Sequence, residues 1–258
     1  MTATALQVGA IAQRSVRRTL RQPAAVAFPL VFPILLLLVN AGGLDASTAL
    51  PGFPTDSFLA FALAVPFIQG ALFATMNAGT DLARDIQTGF LNRLALTPIR
   101  GSALLAGTLA GIVVMGVAQA IFYLLVGLAF GVDFAAGALG VPVLLALAAV
   151  VALGFGALGS FLALRTGSGE AVQAFFPVFF VFLFISSMNT PRDLIAVDWF
   201  RFLATANPVS YLLECVRSLI IEGWDWRALG LGFGIAGVIC LVAIALASWA
   251  LTRRLERT

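Results

Sequence analysis

The chain contains no histidine, no lysine and few charges of any kind: 10% of its 258 residues are Asp, Glu or Arg. Without lysine there is no phosphate-loop, Schiff-base or kinase-type lysine, and without histidine no imidazole base or ligand. The chain is therefore not read as an enzyme by itself, and no cofactor or metal is assigned to it. A soluble domain carries roughly 25% charged residues, so the charge present here is too little to cover a water-exposed surface. Cysteine is scarce as well. Cys215 and Cys240 lie in apolar helical stretches and are expected to be two buried free thiols.

What is present is apolar: 61% of residues are hydrophobic and the mean hydropathy is +1.04. The chain reads as an integral membrane protein. At ~20 apolar residues per spanning helix, its length leaves room for about six spans. All 15 basic residues are arginines and the net charge is +3. Arginine clusters beside apolar spans set topology more often than they bind nucleic acid, so no nucleic-acid partner is expected.

Hydrophobic patterning predicts an all-α polytopic fold forming one membrane domain over 1–258. Residues 5–22, with Arg14, Arg17, Arg18 and Arg21 among apolar positions, read as an amphipathic helix lying at the interface. A signal peptide is the competing reading. The basic region is long for one, no small-x-small cleavage site follows, and further spans need the same membrane. Six spans are expected at 24–40, 57–80, 102–129, 138–163, 171–188 and 228–251. Eleven of the arginines fall on the side of the two termini and the loops 81–100 and 165–170. By the positive-inside rule both termini are expected to be cytoplasmic.

Two polar segments stand out. In 81–97, Leu82, Ile86, Phe90 and Leu94 recur every four residues, which places them on one helical face. Asp81, Arg84, Asp85 and Arg93 supply polar contacts, Gly89 can bend the helix or permit close packing, and Thr97-Pro98 stops it. This segment is either a surface helix joining two spans or a docking helix for a partner's groove.

The second segment is 192–222. Its apolar stretch 209–221 is too short to span and is expected to be interfacial or re-entrant. Asn207-Pro208 reads as a helix start, with asparagine as cap and proline in the first turn. Glu214 and Arg217, spaced i, i+3, are expected to be able to pair. Trp199, Tyr211, Trp224 and Trp226 suit a headgroup-level belt. An external hairpin without a substrate role is the alternative.

The expected fifth span is rich in phenylalanine: Phe175, Phe176, Phe179, Phe180, Phe182 and Phe184. Phe176, Phe180 and Phe184 share a face that either packs against helices and lipid or lines an apolar path. Gln69, Asn77 and Gln173 are the polar path candidates, against the reading of each as a helix–helix hydrogen bond. Ser160, in a Gly-Ala-Leu-Gly-Ser run, reads as small-residue helix packing. Few ionisable groups lie mid-span, which counts against ion-coupled transport.

With these segments in place, the chain resembles the permease subunit of type 2 ATP-binding-cassette (ABC) exporters, in particular the daunorubicin-resistance-like drug and lipid efflux branch. The resemblance rests on the N-terminal amphipathic helix, the Gly-Phe-Leu-Asn-Arg-Leu…Thr-Pro-Ile run at 89–99 and the Asn-Pro…Tyr-Leu…Glu…Arg pattern at 207–217. It implies that 5–22 is a connecting helix and 81–97 a coupling helix. It also implies that 192–222 is a pair of external half-helices, with Asn207, Pro208, Glu214 and Arg217 in the second.

By the same resemblance, Arg84, Asp85, Phe90 and Arg93 would meet an ATPase, and Gly89 and Pro98 would shape the helix. Gln69, Asn77, Gln173, Phe176 and Phe180 are the candidate path residues. The implied partners are two ABC ATPase subunits, which would hold ATP and Mg, a second or related permease, and membrane lipid. The implied setting is a bacterial cytoplasmic membrane and the implied substrate is lipophilic. A membrane anchor without its own path, or an ion-coupled transporter, is the alternative function.

Overall fold

The computed structural model describes residues 3–95 and 101–256, which form twelve α-helices. Among the described residues there is no strand. Helix α1 (Ala3–Leu20) precedes α2 (Pro23–Leu44), and a short 3-10 turn leads to α3 (Phe58–Ala62) and α4 (Ala64–Gln87). Then come α5 (Phe90–Ala95), α6 (Gly101–Ala129), α7 (Gly137–Thr166), α8 (Gly169–Ala174) and α9 (Phe176–Phe184). The chain ends with α10 (Asp198–Ala206), α11 (Pro208–Arg217), a π-type turn at Ser218–Glu222, and α12 (Trp226–Leu255).

Among the described residues, five helical stretches are long and apolar enough to cross a membrane: Pro23–Ala49, Phe58–Gln87, Gly101–Ala129, Gly137–Thr166 and Trp226–Leu255. The sequence explains where several begin and end. Pro23 sits in the first turn of α2, where its missing N–H costs nothing. Ser168 caps α8 by accepting from the Ala171 N–H. Gly167, at φ +69°, closes α7 in the left-handed conformation. The Asp225 carboxylate accepts from the N–H groups of Arg227 (2.8 Å) and Ala228 (3.3 Å) and starts α12.

Two expectations need correction here. The continuous span expected at 171–188 is two helices. Gly169–Phe184 is broken at Phe175, because Pro177 cannot donate to the carbonyl of Gln173. At 1.5 Å per residue this stretch reaches about 24 Å, short of the ~30 Å hydrocarbon core. The chain then continues through 185–190 as a turn and bends. Nor is 81–97 one helix. Its first seven residues are the last turns of α4, Gly89 turns the chain at φ +69°, and α5 begins afresh. Residues 96–100, and with them Pro98, lie outside the described residues.

Helix α4 is the axis of the bundle. The apolar stretch of Phe58–Gln87 is 94% buried, against 17% for Pro23–Ala49. Helix α4 packs against α7, α6, α2, α8 and α11. Without a hydrophobic drive between helices in lipid, close approach depends on small residues. At the α4–α7 crossing, Gly79 faces the carbonyl of Gly159, and Gly159 lies directly on the carbonyl of Thr75. Ser160 beside it is fully buried and donates to the Gly156 carbonyl at 2.9 Å, in keeping with a packing role.

At one end of the bundle, α1 and α12 both pack on α6. Gly101, where α6 begins, faces Leu251 and Leu255 of α12, while Gly107 and Gly111 face Ile11 and Ser15 of α1.

Candidate functional site

At that end, α1 lies against the last turns of α4 and is fastened by charge. Arg14 makes a two-pronged contact with Asp85, Nη1 to Oδ2 and Nη2 to Oδ1, both 3.0 Å. Arg18 donates from Nη1 to Asp85 Oδ1 at 2.9 Å and pairs through Nε with Asp81 Oδ1 at 3.2 Å. The Arg14 guanidinium also lies over the Phe90 ring, 3.9 Å from its centroid. Asp85's hydrogen bond holds the Arg14 guanidinium above its ordinary pKa. Such charge-assisted, paired bonds fix orientation as well as energy.

The four residues expected to meet a partner therefore divide. Asp85 and Phe90 face α1, whereas Arg84 and Arg93 are exposed. Gly89 forms the turn between α4 and α5. Sequence reading missed that the α1 arginines are Asp85's partners. The available signal was two carboxylates four residues apart, Asp81 and Asp85, opposite an arginine-rich helix.

Asp85→Ala should loosen α1, which the Arg18–Asp81 pair and its packing on α6 still hold. Losing charged hydrogen bonds at a partly exposed site costs about 1–2 kcal/mol. Tryptic cleavage after Arg14, Arg17 and Arg18 is then expected to speed up roughly 5- to 30-fold, with cleavage in the α12 tail unchanged.

At the other end, α10 and α11 form a pair of short helices joined at Asn207, each too short to cross. Asn207 acts on both sides of the joint. Its Oδ1 accepts from the Val209 N–H at 2.9 Å and caps α11, as the sequence predicts. Its Nδ2 donates to the carbonyls of Phe182 (2.5 Å) and Ile185 (3.0 Å), where α9 ends. Pro208 occupies the first turn.

The expected Glu214–Arg217 pair does not form, because each side chain has a better partner outside the helix. Glu214 accepts from Arg192 Nη2 at 2.5 Å. Burial pushes the Glu214 carboxyl above its ordinary pKa, and Arg192 opposes that shift.

Arg217 is buried, with 5% of its surface exposed. It donates to three backbone carbonyls: Phe61 through Nε (3.0 Å), Ser187 through Nη1 (2.6 Å) and Met188 through Nη2 (2.6 Å). Its guanidinium stacks 3.5 Å from the Phe61 ring centroid. Irregular backbone inside a membrane protein is tolerated only where protein or water satisfies it. Asn207 and Arg217 do this for 182–188. A cavity of about 320 Å³ opens beside Arg217, with Arg192, Asp193, Glu214, Glu222 and Asp225 also on its wall. Of the expected belt, Trp199 and Trp226 are the most exposed, and Trp224 stacks on Trp226 at 5.6 Å.

The five path candidates do not share one lining. Phe176 and Phe180 are in contact at 4.6 Å and belong to an aromatic cluster with Phe28, Phe32, Phe73 and Phe184 across α2, α4 and α9. Gln69 is buried inside α4, with its Oε1 lacking a hydrogen-bond partner among the described residues. Asn77 donates to the Ala25 carbonyl of α2 at 3.4 Å. Gln173 is exposed on α8. Cys215 and Cys240 are both buried free thiols.

Known proteins are similar to this chain. Residues 6–221 match the family described as ABC-2 type transporter. The daunorubicin resistance ABC transporter permease protein DrrB1 of Streptomyces coeruleorubidus is 27% identical over 241 residues, 90% of this chain and 78% of that protein. The putative transport permease ycf38 of Porphyra purpurea is 26% identical over 224 residues, 86% of this chain and 76% of its own length.

Proposed function

This chain belongs to the ABC-2 type transporter family and is a membrane subunit of an ABC transporter, and from that premise we propose that it carries the export path for a lipophilic drug-like or lipid substrate, powered by two separate ATPase subunits. The observation that carries the coupling half is the charge arrangement at the α1 end. Arg84 and Arg93 are exposed beside α1, and α1 is bound to α4 through Arg14, Arg18 and Asp85. A push on α5 and the end of α4 is then shared with α1 and, through it, with α2. ATP and Mg would sit on the ATPase, since this chain has no phosphate-loop lysine.

This end faces the cytoplasm of a bacterial cell in the proposed arrangement, because it carries most of the arginines. Six crossings fit the packing. Val172 of α8 rests on Gly79. The carbonyls of Ser187 and Met188 are joined through Arg217 to Phe61. The α3–α4 rod rises about 27 Å between Phe61 and Gly79. In this reading α8, α9 and the bends after them make the fifth of six crossings, and both termini are cytoplasmic. The α10–α11 pair then lies on the external side, as half-helices before the last crossing.

A second permease copy, or a related one, would complete the path. The six-phenylalanine cluster around Phe176 and Phe180 supports a flat or acyl substrate, since aromatic faces stack well on such groups. The relative named for daunorubicin resistance is in keeping with that class.

The test is charge reversal of the exposed pair. Arg84→Glu combined with Arg93→Glu should weaken ATPase association at least tenfold, since like charges placed across an interface cost several kcal/mol. Export should be lost with it, and wild-type export should persist in the presence of ionophores. Unchanged association and export in the double variant would overturn the docking assignment.

A further inference from the structure

Helix α2 carries two interior prolines, Pro29 and Pro33, four residues apart. Proline has no N–H for the carbonyl one turn back. Pro29 therefore leaves the Ala25 carbonyl without its helical donor, and Pro33 does the same to the carbonyl of Pro29. An unpaired carbonyl inside a helix bundle is costly unless protein or water satisfies it.

Both carbonyls find donors on other helices. Asn77 Nδ2 of α4 lies 3.4 Å from the Ala25 oxygen, and the Tyr123 hydroxyl of α6 lies 2.5 Å from the Pro29 oxygen. Tyr123 is completely buried. Asn77 borders a mixed cavity of about 40 Å³ whose polar wall residues include Asp81, Thr108 and Gln119.

Beyond these bonds, α2 is held mainly by ring contacts of Phe28 and Phe32 with Phe73 and Phe180, which tolerate sliding better than a hydrogen bond does. It is the least buried of the five long helices, and its buried residues are Pro29, Pro33 and Leu37, one stripe at four-residue spacing. Any slide or rotation of α2 by one residue takes both carbonyls away from their donors. We propose that Tyr123 and Asn77 are positioning residues that set the register of α2 against α6 and α4 by capping the two carbonyls its prolines release. The pairing is specific: Tyr123 answers Pro33, and Asn77 answers Pro29.

The test uses the purified full chain in mild detergent and reads amide hydrogen exchange helix by helix. It needs no ATPase, so its outcome is separate from that of the coupling proposal. Tyr123→Phe should speed exchange in α2 about three- to twentyfold, the range for single interhelical hydrogen bonds in membrane proteins. Exchange in α7 and α12 should not change. Asn77→Leu should act at the lower end of that range, since water in the adjoining cavity can replace the amide.

The discriminating step is rescue. Pro33→Ala restores a helical N–H to the Pro29 carbonyl and should return α2 of Tyr123→Phe to its original exchange, whereas Pro29→Ala should not. For Asn77→Leu the rescue should run the other way. If Tyr123→Phe alone does not accumulate, its combination with Pro33→Ala should. Unchanged α2 exchange, an equal rise in α7 and α12, rescue by either proline change alike, or a double variant that fails to accumulate would each overturn the proposal.

Discussion

Arg217→Leu is expected to prevent the chain from accumulating as a folded, monodisperse protein. Leucine fills part of the space but donates nothing, so the carbonyls of Phe61, Ser187 and Met188 are left without the guanidinium that satisfies them. Each buried acceptor stranded in this way costs about 1–3 kcal/mol. Three of them at the low end already take about 3 kcal/mol from a total that is typically 5–15 kcal/mol. The damage is also topological, because those carbonyls belong to α3 and to the bends after α9, and the arginine is on α11.

Arg217→Lys should fall between, since an ammonium keeps the charge but not the planar fork that reaches three acceptors at once. Glu214→Gln is the control. It keeps an acceptor for Arg192 in this partly buried contact and removes only the charge, so the cost should stay at about 1 kcal/mol. Thermal melting in detergent should rank the variants as Glu214→Gln near wild type, then Arg217→Lys, then Arg217→Leu. A leucine variant that melts with the wild type would remove the clamp from the account.

Gly159→Val should be comparably damaging for a different reason. A Cβ at Gly159 would overlap the main-chain carbonyl of Thr75, and α4 cannot yield there because Gly79, one turn on, is itself packed against Gly159 and Val172. Overpacking ordinarily costs about 1–3 kcal/mol, and a backbone obstacle on the most buried helix belongs at or above the top of that range. Gly159→Ala should already lower the melting temperature. Gly234→Ala in α12 is the matched control, because nothing lies within 4 Å of the new methyl. Alanine is the better helix former by about 0.8–1 kcal/mol, so that variant should melt at or slightly above wild type.

These effects mark the boundary of what the sequence discloses. Helix ends written in local chemistry were readable: the Asn207-Pro208 start and the spans at 102–129 and 138–163 agree with α11, α6 and α7 within a few residues. Failures came where a local pattern had a long-range competitor. The four-residue period of Leu82, Ile86, Phe90 and Leu94 looks the same whether or not Gly89 breaks the helix between them. An i, i+3 Glu–Arg spacing favours a pair only until Arg192 and three bare carbonyls are nearby. The apolar run at 171–188 hid the consequence of Pro177.

The proline pair in α2 did carry a signal. It states that two carbonyls need outside donors, but only the folded arrangement identifies Asn77 and Tyr123 as those donors. Asn77, read as a path candidate or a helix–helix bond, makes the second. Asp85, read as a partner contact, proves to be the anchor of α1. The side chains left facing outward at that end, Arg84 and Arg93, are the ones on which the coupling proposal rests.

The most direct test of that proposal is to purify the tagged chain from its native membranes in mild detergent and identify by mass spectrometry what remains bound in stoichiometric amount. The expected result is an ATPase subunit with its own phosphate loop, retained by the wild-type chain and lost by the Arg84→Glu, Arg93→Glu double variant. An intact, monodisperse preparation that holds no such ATPase, with and without crosslinker, would contradict the coupling proposal.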